Sequence, residues 1–190
     1  MEGYDSPEYW EQKYQNKEHT EEWYYSYQQL KQIVTPHFKK TDKVLCVGNG
    51  TSSFPVELSA DFKPELIIST DISASAVEQM QKFASEKVKF VVDDALHMNL
   101  QEQFDVVFDK GCFDAISTSA NRDQIINQYI NEISRVLKQG GKYIMVSYGK
   151  PYTRVGHFGK QWDTQIVQIP DKAPSGERGF AYIFQLIKQQ

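Results

Sequence analysis

Short apolar runs recur along this chain, and the stretches between them return apolar residues every three or four positions. The runs are KVLCVG at 43–48, ELIIST at 65–70, VKFVV at 88–92, FDVVFD at 104–109 and KYIMVS at 142–147. Runs of this length, alternating with helix-like sequence, read as strands of a parallel sheet covered on both faces. Thr51 or Ser52 is placed to cap a helix running to about Ala60, and Ser73 to cap another running to about Ser85. The segment 123–137 puts Ile125, Ile126, Tyr129, Ile130, Ile133, Val136 and Leu137 on one helical face, and Gly140-Gly141 closes it. The pattern then changes. DTQIVQI at 163–169 and FAYIFQLI at 180–187, separated by Pro170, Pro174, Gly176 and Gly179, read as an antiparallel pair. Before the first strand, residues 6–35 read as two helices rich in tyrosine and tryptophan, with Ser6-Pro7 as the start of the first. The expectation is an α/β protein of one domain: a helical N-terminal lid over 1–38, an alternating β/α body over 43–147, and a loop with a terminal hairpin over 148–190.

Bulk properties narrow this picture. At 190 residues, with 40% hydrophobic and 24% charged residues, the chain can bury a sizeable core without disulfides or metal. The net charge of −4 argues against broad attraction to a nucleic-acid backbone. Charge is uneven: residues 1–29 hold seven acidic and two basic side chains, residues 138–190 three acidic and eight basic. Two cysteines, Cys46 and Cys112, make neither a disulfide framework nor a metal cluster and fit a reducing compartment. No cationic leader or bilayer-length apolar run is present, so the expected location is the cytoplasm, away from membranes.

The candidate chemistry begins at VLCVGNGTSSF, residues 44–54, followed by TDIS around Asp71. A strand that breaks into Gly-x-Gly and then a helix lets backbone approach a ligand closely, and an acidic residue about 20 positions on can accept from ribose hydroxyls. Many such turns merely connect a strand to a helix. Asp71, Asp94 and Asp109 each fall at a strand end, and in an open parallel sheet those ends line the ligand crevice. Position gives Asp71 to a ribose diol, Asp94 with the backbone of Ala95 to an adenine amino group, and Asp109 to the reacting end. The alternative for each is a loop carboxylate that caps a helix or is solvated.

FDVVFDKGCFDAI, residues 104–116, is the strongest local motif. Together with YWEQKYQ at 9–15, VGNGTS at 47–52 and ISRVLKQGGKYIMVSYGKP at 133–151, it resembles the class I, seven-β-strand S-adenosylmethionine-dependent methyltransferases, whose fold is Rossmann-like. More narrowly it is similar to the branch that methylates lysines of translation elongation factor 1-alpha, where the motif runs D/E-K-G-T-x-D-A; here Cys112 stands where threonine is common. The resemblance runs from about Tyr9 to the last strand. It implies S-adenosylmethionine as cofactor, with S-adenosylhomocysteine as product. It also implies cofactor contacts from Trp10, Tyr14 and Trp23 of the lid, from Gly48, Asn49 and Gly50 of the turn, from Asp71-Ile72 and Asp94-Ala95, and from Asp109 and Lys110. Trp10, Tyr14 and Trp23 also read simply as a helix face packed on the sheet. Cys46 and Ser52 replace an acidic residue and a third glycine of the broader pattern, a departure tolerated in related members. Ser53 stands where a nicotinamide-binding G-x-G-x-x-G needs glycine.

The implied activity is lysine N-methylation of elongation factor 1-alpha or a similar protein, with Asp109 positioning the amine and Asp114 nearby. No metal is expected, and no triad or zinc spacing is found. Residues 148–162, YGKPYTRVGHFGKQW, read either as a substrate-docking loop or as an exposed connection, and His157 as a base or a solvated histidine. Two further readings keep the cofactor: a small-molecule methyltransferase, and a non-catalytic cofactor-binding partner subunit. Nucleic-acid methylation is disfavoured by Asp-Lys-Gly-Cys at the end of the fourth strand and by the acidic charge. Oligomeric state is left open.

Overall fold

A computed structural model of the chain describes residues 3–15, 22–170, 176 and 179–186. Among these residues seven strands form one sheet: β1 (Lys43–Val47), β2 (Leu66–Asp71), β3 (Val88–Val92), β4 (Phe104–Lys110), β5 (Leu137–Ser147), β6 (Trp162–Gln168) and β7 (Phe180–Leu186). Their order is β3-β2-β1-β4-β5-β7-β6. β1 to β5 pair in parallel, and β7 lies antiparallel between β5 and β6.

The alternation of side chains along each strand feeds two cores. Val44 and Cys46 of β1, with Val106 and Phe108 of β4, pack under helices α2 (Tyr27–Val34), α3 (Phe54–Asp61) and α4 (Ala74–Met80). The Phe54 and Phe108 rings stack there, 3.7 Å apart. Leu45, Val47 and Val107 face the other way, onto α5 (Cys112–Ile116) and α6 (Arg122–Val136). On α6 the residues Ile126, Tyr129, Ile130, Ile133 and Val136 are buried, which is the stripe read from the sequence with Ile125 only half-covered.

The lid helix α1 (Pro7–Gln15) lies against the start of α4. Glu11 accepts from the Ser73 hydroxyl at 2.7 Å and from the Ser75 amide at 3.2 Å. Those contacts sit at the N-terminus of α4, where unpaired amides and the helix dipole favour a carboxylate. Hydrogen bonds to both serines hold the Glu11 carboxyl down to about 2.

Several boundaries differ from the expected ones. α3 takes Ser53 rather than Thr51 or Ser52 as its cap residue, and α4 stops at Met80, passing into a 3₁₀ turn at Gln81–Phe83. α6 does not end in a glycine loop. Leu137 already pairs with Phe104 as the first residue of β5, and a register shift before Lys142 absorbs Gly140 and Gly141 into the strand. Within the segment read as a loop, Pro151 starts a short helix, α7 (Pro151–Arg154). Because β1 to β4 run parallel, their carboxyl ends share one edge, and the crossover reverses direction between β1 and β4. A crevice opens at that switch point.

Candidate active site

A cavity of about 630 Å³ lies over this edge. Its floor is the turn after β1. Gly48 and Gly50 adopt φ of +54° and +56°, which side-chain-bearing residues avoid. A Cβ on Gly48 would meet Cys112 and one on Gly50 the Tyr14 hydroxyl, so both positions need glycine for space as well as for conformation. Asp71, at the end of β2, accepts from the Gly50 amide at 2.7 Å and from the Ser73 amide at 2.9 Å, tying the turn to the cap of α4. Burial pushes its carboxyl up, against the pull of those amides. Past β3, Asp93 is buried and holds the following loop through the Asn99 amide and side chain, leaving Asp94, Ala95 and Leu96 on the cavity wall.

The lid closes the opposite side. Trp10 stacks on Tyr14 with centroids 6.0 Å apart and meets Trp23 edge-on at 5.7 Å. All three line the cavity, as do Gly48, Asn49, Asp71, Ile72, Asp94, Ala95 and Lys110. Gly50 does not; Tyr14 covers it. The indole nitrogen of Trp23 is buried without a hydrogen-bond partner among the described residues. Lys110 donates to the Trp23 carbonyl at 2.6 Å and pairs with Glu22 at 2.5 Å, while Glu22 also accepts from the Ser52 hydroxyl at 2.7 Å. Burial draws the Lys110 ammonium down and the Glu22 charge opposes it. Glu22 therefore joins lid, glycine turn and β4, a role carried by no local motif.

Asp109 requires a correction. It was expected to face the reacting end of the cavity, but it is fully buried and absent from the cavity wall. Its carboxylate accepts from the Cys112 amide at 2.8 Å, the Phe113 amide at 3.0 Å, the Tyr129 hydroxyl at 2.8 Å and the Tyr143 hydroxyl at 2.7 Å. Burial pushes it up to about 6 despite these donors. Asp109 holds the start of α5 in place and touches nothing in the cavity. Cys112 does reach the wall, and burial raises its thiol well above the ordinary range, so it is a neutral packing residue.

Asp114, in contrast, lines the cavity. Its carboxylate accepts from the Tyr24 hydroxyl at 2.8 Å, the Ser147 hydroxyl at 2.6 Å and the Tyr148 amide at 3.1 Å, and it pairs with Arg154 at 2.9 Å. The Tyr24 and Tyr148 rings lie 4.0 Å apart beside it. Tyr24 adopts φ of +65°, an uncommon conformation for a bulky residue. Its hydroxyl is pushed well up by burial and by the Asp114 charge. Tyr24 was not singled out in the sequence; Tyr148 and Arg154 belong to residues 148–162, read there as a substrate-docking loop or an exposed connection, and both line the cavity. His157 lies outside the cavity wall, its ring 6.1 Å from that of Phe113.

A seven-stranded sheet of this order, parallel but for β7, with a glycine turn after its first strand and an acidic residue ending its second, is the class I methyltransferase fold. N-methyltransferase NodS from Bradyrhizobium japonicum, solved with S-adenosyl-L-homocysteine, shares it at TM-score 0.69 and 16% identity over 85% of this chain and 86% of that one. A SAM-dependent methyltransferase from Methanosarcina mazei shares it at TM-score 0.63 and 15% identity, over 83% and 98% of the two chains. Residues 38–173 match the family described as "Methyltransferase domain", and the chain belongs to that family, in its S-adenosylmethionine-dependent class. Among relatives, it is 31% identical over 177 residues to the eEF1A lysine and N-terminal methyltransferase of Bos taurus, covering 87% of this chain and 25% of that protein. It is 27% identical over 169 residues to EEF1A lysine methyltransferase 4 of Bos taurus, covering 82% and 66%. The chain thus spans about a quarter of the length of the first relative.

The residues fit the cofactor. Gly48 and Asn49 of the turn, the acidic positions Asp71 and Asp94, and the aromatic rings of Trp10, Tyr14 and Trp23 share one cavity.

Proposed function

We propose that this chain methylates the side-chain nitrogen of a lysine in a folded cytoplasmic protein, elongation factor 1-alpha or one like it. The observation that carries the reading is the side of the cavity where the Asp114 carboxylate accepts from the Tyr24 hydroxyl and the Tyr148 amide, beside the packed Tyr24 and Tyr148 rings. Relatives named for eEF1A lysine methylation support the choice of acceptor. In this reading Asp71 holds the ribose, Asp94 and Ala95 the adenine, the glycine turn and Lys110 the amino-acid portion, and Trp10, Tyr14 and Trp23 cover them.

When bound, the cofactor supplies a methyl group on a positively charged sulfur that departs with the bonding pair, so no nucleophile need be built by the chain. What the chain supplies is alignment and exclusion of water. A lysine has a pKa of about 10.4 and must lose a proton before its nitrogen can attack. Aromatic walls remove water and favour the neutral amine, while Asp114 fixes the Tyr24 hydroxyl and the Tyr148 backbone that border the amine's path; the proton passes to water.

Labelled-methyl transfer to purified, unmodified elongation factor 1-alpha and to whole-cell extract tests this. The expected product is label on a lysine side chain. Asp114→Asn should lower turnover about a hundredfold, with cofactor affinity changed no more than about threefold. Label confined to small molecules would select the metabolite reading. Tight cofactor binding with no transfer to anything would select the non-catalytic subunit.

A further inference from the structure

The amine-binding reading leaves one feature of the chamber unexplained, a second cation fixed inside it. Arg154 ends α7, and its side chain is only 16% exposed, against 12% for Asp114. Its Nη2 donates to Asp114 Oδ1 at 2.9 Å and its Nε to the Ser147 hydroxyl at 3.0 Å. The guanidinium sits 5.5 Å from the Phe113 ring centroid and packs against Gly149, where any Cβ would collide with it. The Gly149 backbone is held in turn, its amide donating to Ser147 at 2.9 Å and its carbonyl accepting from the Tyr182 hydroxyl at 2.6 Å. Arg154 is thus locked by charge, hydrogen bonds and packing, with its guanidinium on the cavity wall.

This placement saturates the carboxylate. Asp114 Oδ1 takes Arg154 and Ser147, and Oδ2 takes Tyr24 and the Tyr148 amide. An ammonium arriving here finds a carboxylate already neutralised and a guanidinium beside it. A like charge within about 4–6 Å disfavours the charged form of an amine. Among the described residues, the other titratable and charged groups around this corner are Tyr24 and Tyr148 beside Asp114, Tyr182 from β7, His157 from the turn after α7, and Arg122 and Asp123 at the start of α6, which face His157. Asp109 and Lys110 lie deeper, and Glu22 is paired with Lys110. None of these is a cation free to replace the guanidinium.

Resting on the lysine reading above, we propose that Arg154 is a specificity-determining residue. Its fixed charge offsets Asp114, so the chamber accepts the acceptor as an uncharged amine and promotes loss of its proton to water.

The test is the pH dependence of kcat at saturating donor and protein substrate, where the acid limb reports the bound amine. In the wild type that limb should fall well below the free lysine value of about 10.4. Arg154→Gln should move it up by about one pH unit, and lower kcat and KM together at neutral pH because the protonated amine then binds better. Arg154→Lys keeps a charge and should return the limb to within a few tenths of the wild-type position. A staple that merely held α7 would lower kcat at all pH values and leave the limb in place. Thermal midpoint and S-adenosylhomocysteine binding establish that each variant is folded. Should Arg154→Gln not bind donor, the wild-type limb and that of Arg154→Lys decide.

The inference is overturned by a wild-type limb at the free lysine value, by an unshifted Arg154→Gln limb, or by a Lys variant shifted as far as the Gln one. A wild-type protein that binds donor and methylates no lysine overturns the underlying reading instead.

Discussion

Asp109 collects four hydrogen bonds from three different elements: two amides at the start of α5, the Tyr129 hydroxyl of α6 and the Tyr143 hydroxyl of β5. Asparagine has the same shape but would press an NH2 group against one pair of donors, so Asp109→Asn should cost about 2–4 kcal/mol, read by urea unfolding. The pH dependence has a defined sign. The folded carboxyl titrates at about 6, above its ordinary 3.8, so between those values the native state holds a proton the unfolded chain has released. Stability from this group is full below pH 4 and is lost as pH rises to about 6. The wild-type minus Asp109→Asn difference in unfolding free energy should therefore decline across that window and flatten above it. The acid at this position was legible in the sequence, but its direction was misread. Strand alternation places Asp109 with Val107 on the face covered by α5 and α6, opposite Phe108, and that parity was available in FDVVFD. Asp114 was legible as a site residue. Its saturation by Arg154 was not, because the pair spans 40 positions and depends on where α7 folds back.

At the scale of elements, the lid is held by two glutamates rather than by its aromatic residues alone. Glu11 caps α4 through Ser73 and Ser75, and Glu22 clasps Ser52 and the buried Lys110. Removing one partner of a buried ion pair strands the other in a medium that penalises charge. Glu22→Gln should accordingly cost about 3 kcal/mol of stability and weaken S-adenosylhomocysteine binding, while adding Lys110→Met should restore most of the stability without the affinity. Equal losses in the single and double variants would show that Glu22 acts on the lid independently of Lys110. Helices in the lid were readable from Ser6-Pro7 and the spacing of Trp10 and Tyr14. The clasp was not, since Glu22 carries no local motif and meets its partner 88 positions away. The join of α6 to β5 escaped the sequence for a related reason: Gly140-Gly141 is a strong helix stop locally, yet pairing with β4 draws the whole stretch into the sheet.

Across the molecule, the parallel order of β1 to β4 brings the glycine turn, Asp71, Asp94 and Lys110 to one edge, and the antiparallel β7 anchors the opposite wall through Tyr182 and Gly149. The strand inventory and both ends of the cavity were legible because period-two and helical periodicities are local properties. What lay beyond reach was the cluster of Tyr24, Ser147, Tyr148 and Arg154 around Asp114, which long-range side-chain contacts assemble on one side of the cavity. A crystal structure with S-adenosylhomocysteine measures directly where the cofactor lies relative to that cluster. The account predicts ribose on Asp71, adenine beside Asp94 and Ala95, and the sulfur turned toward the chamber of Tyr24, Asp114 and Tyr148. Ligand bound elsewhere, or a sulfur facing away from Asp114 with Trp10 and Trp23 filling the cavity, would contradict it.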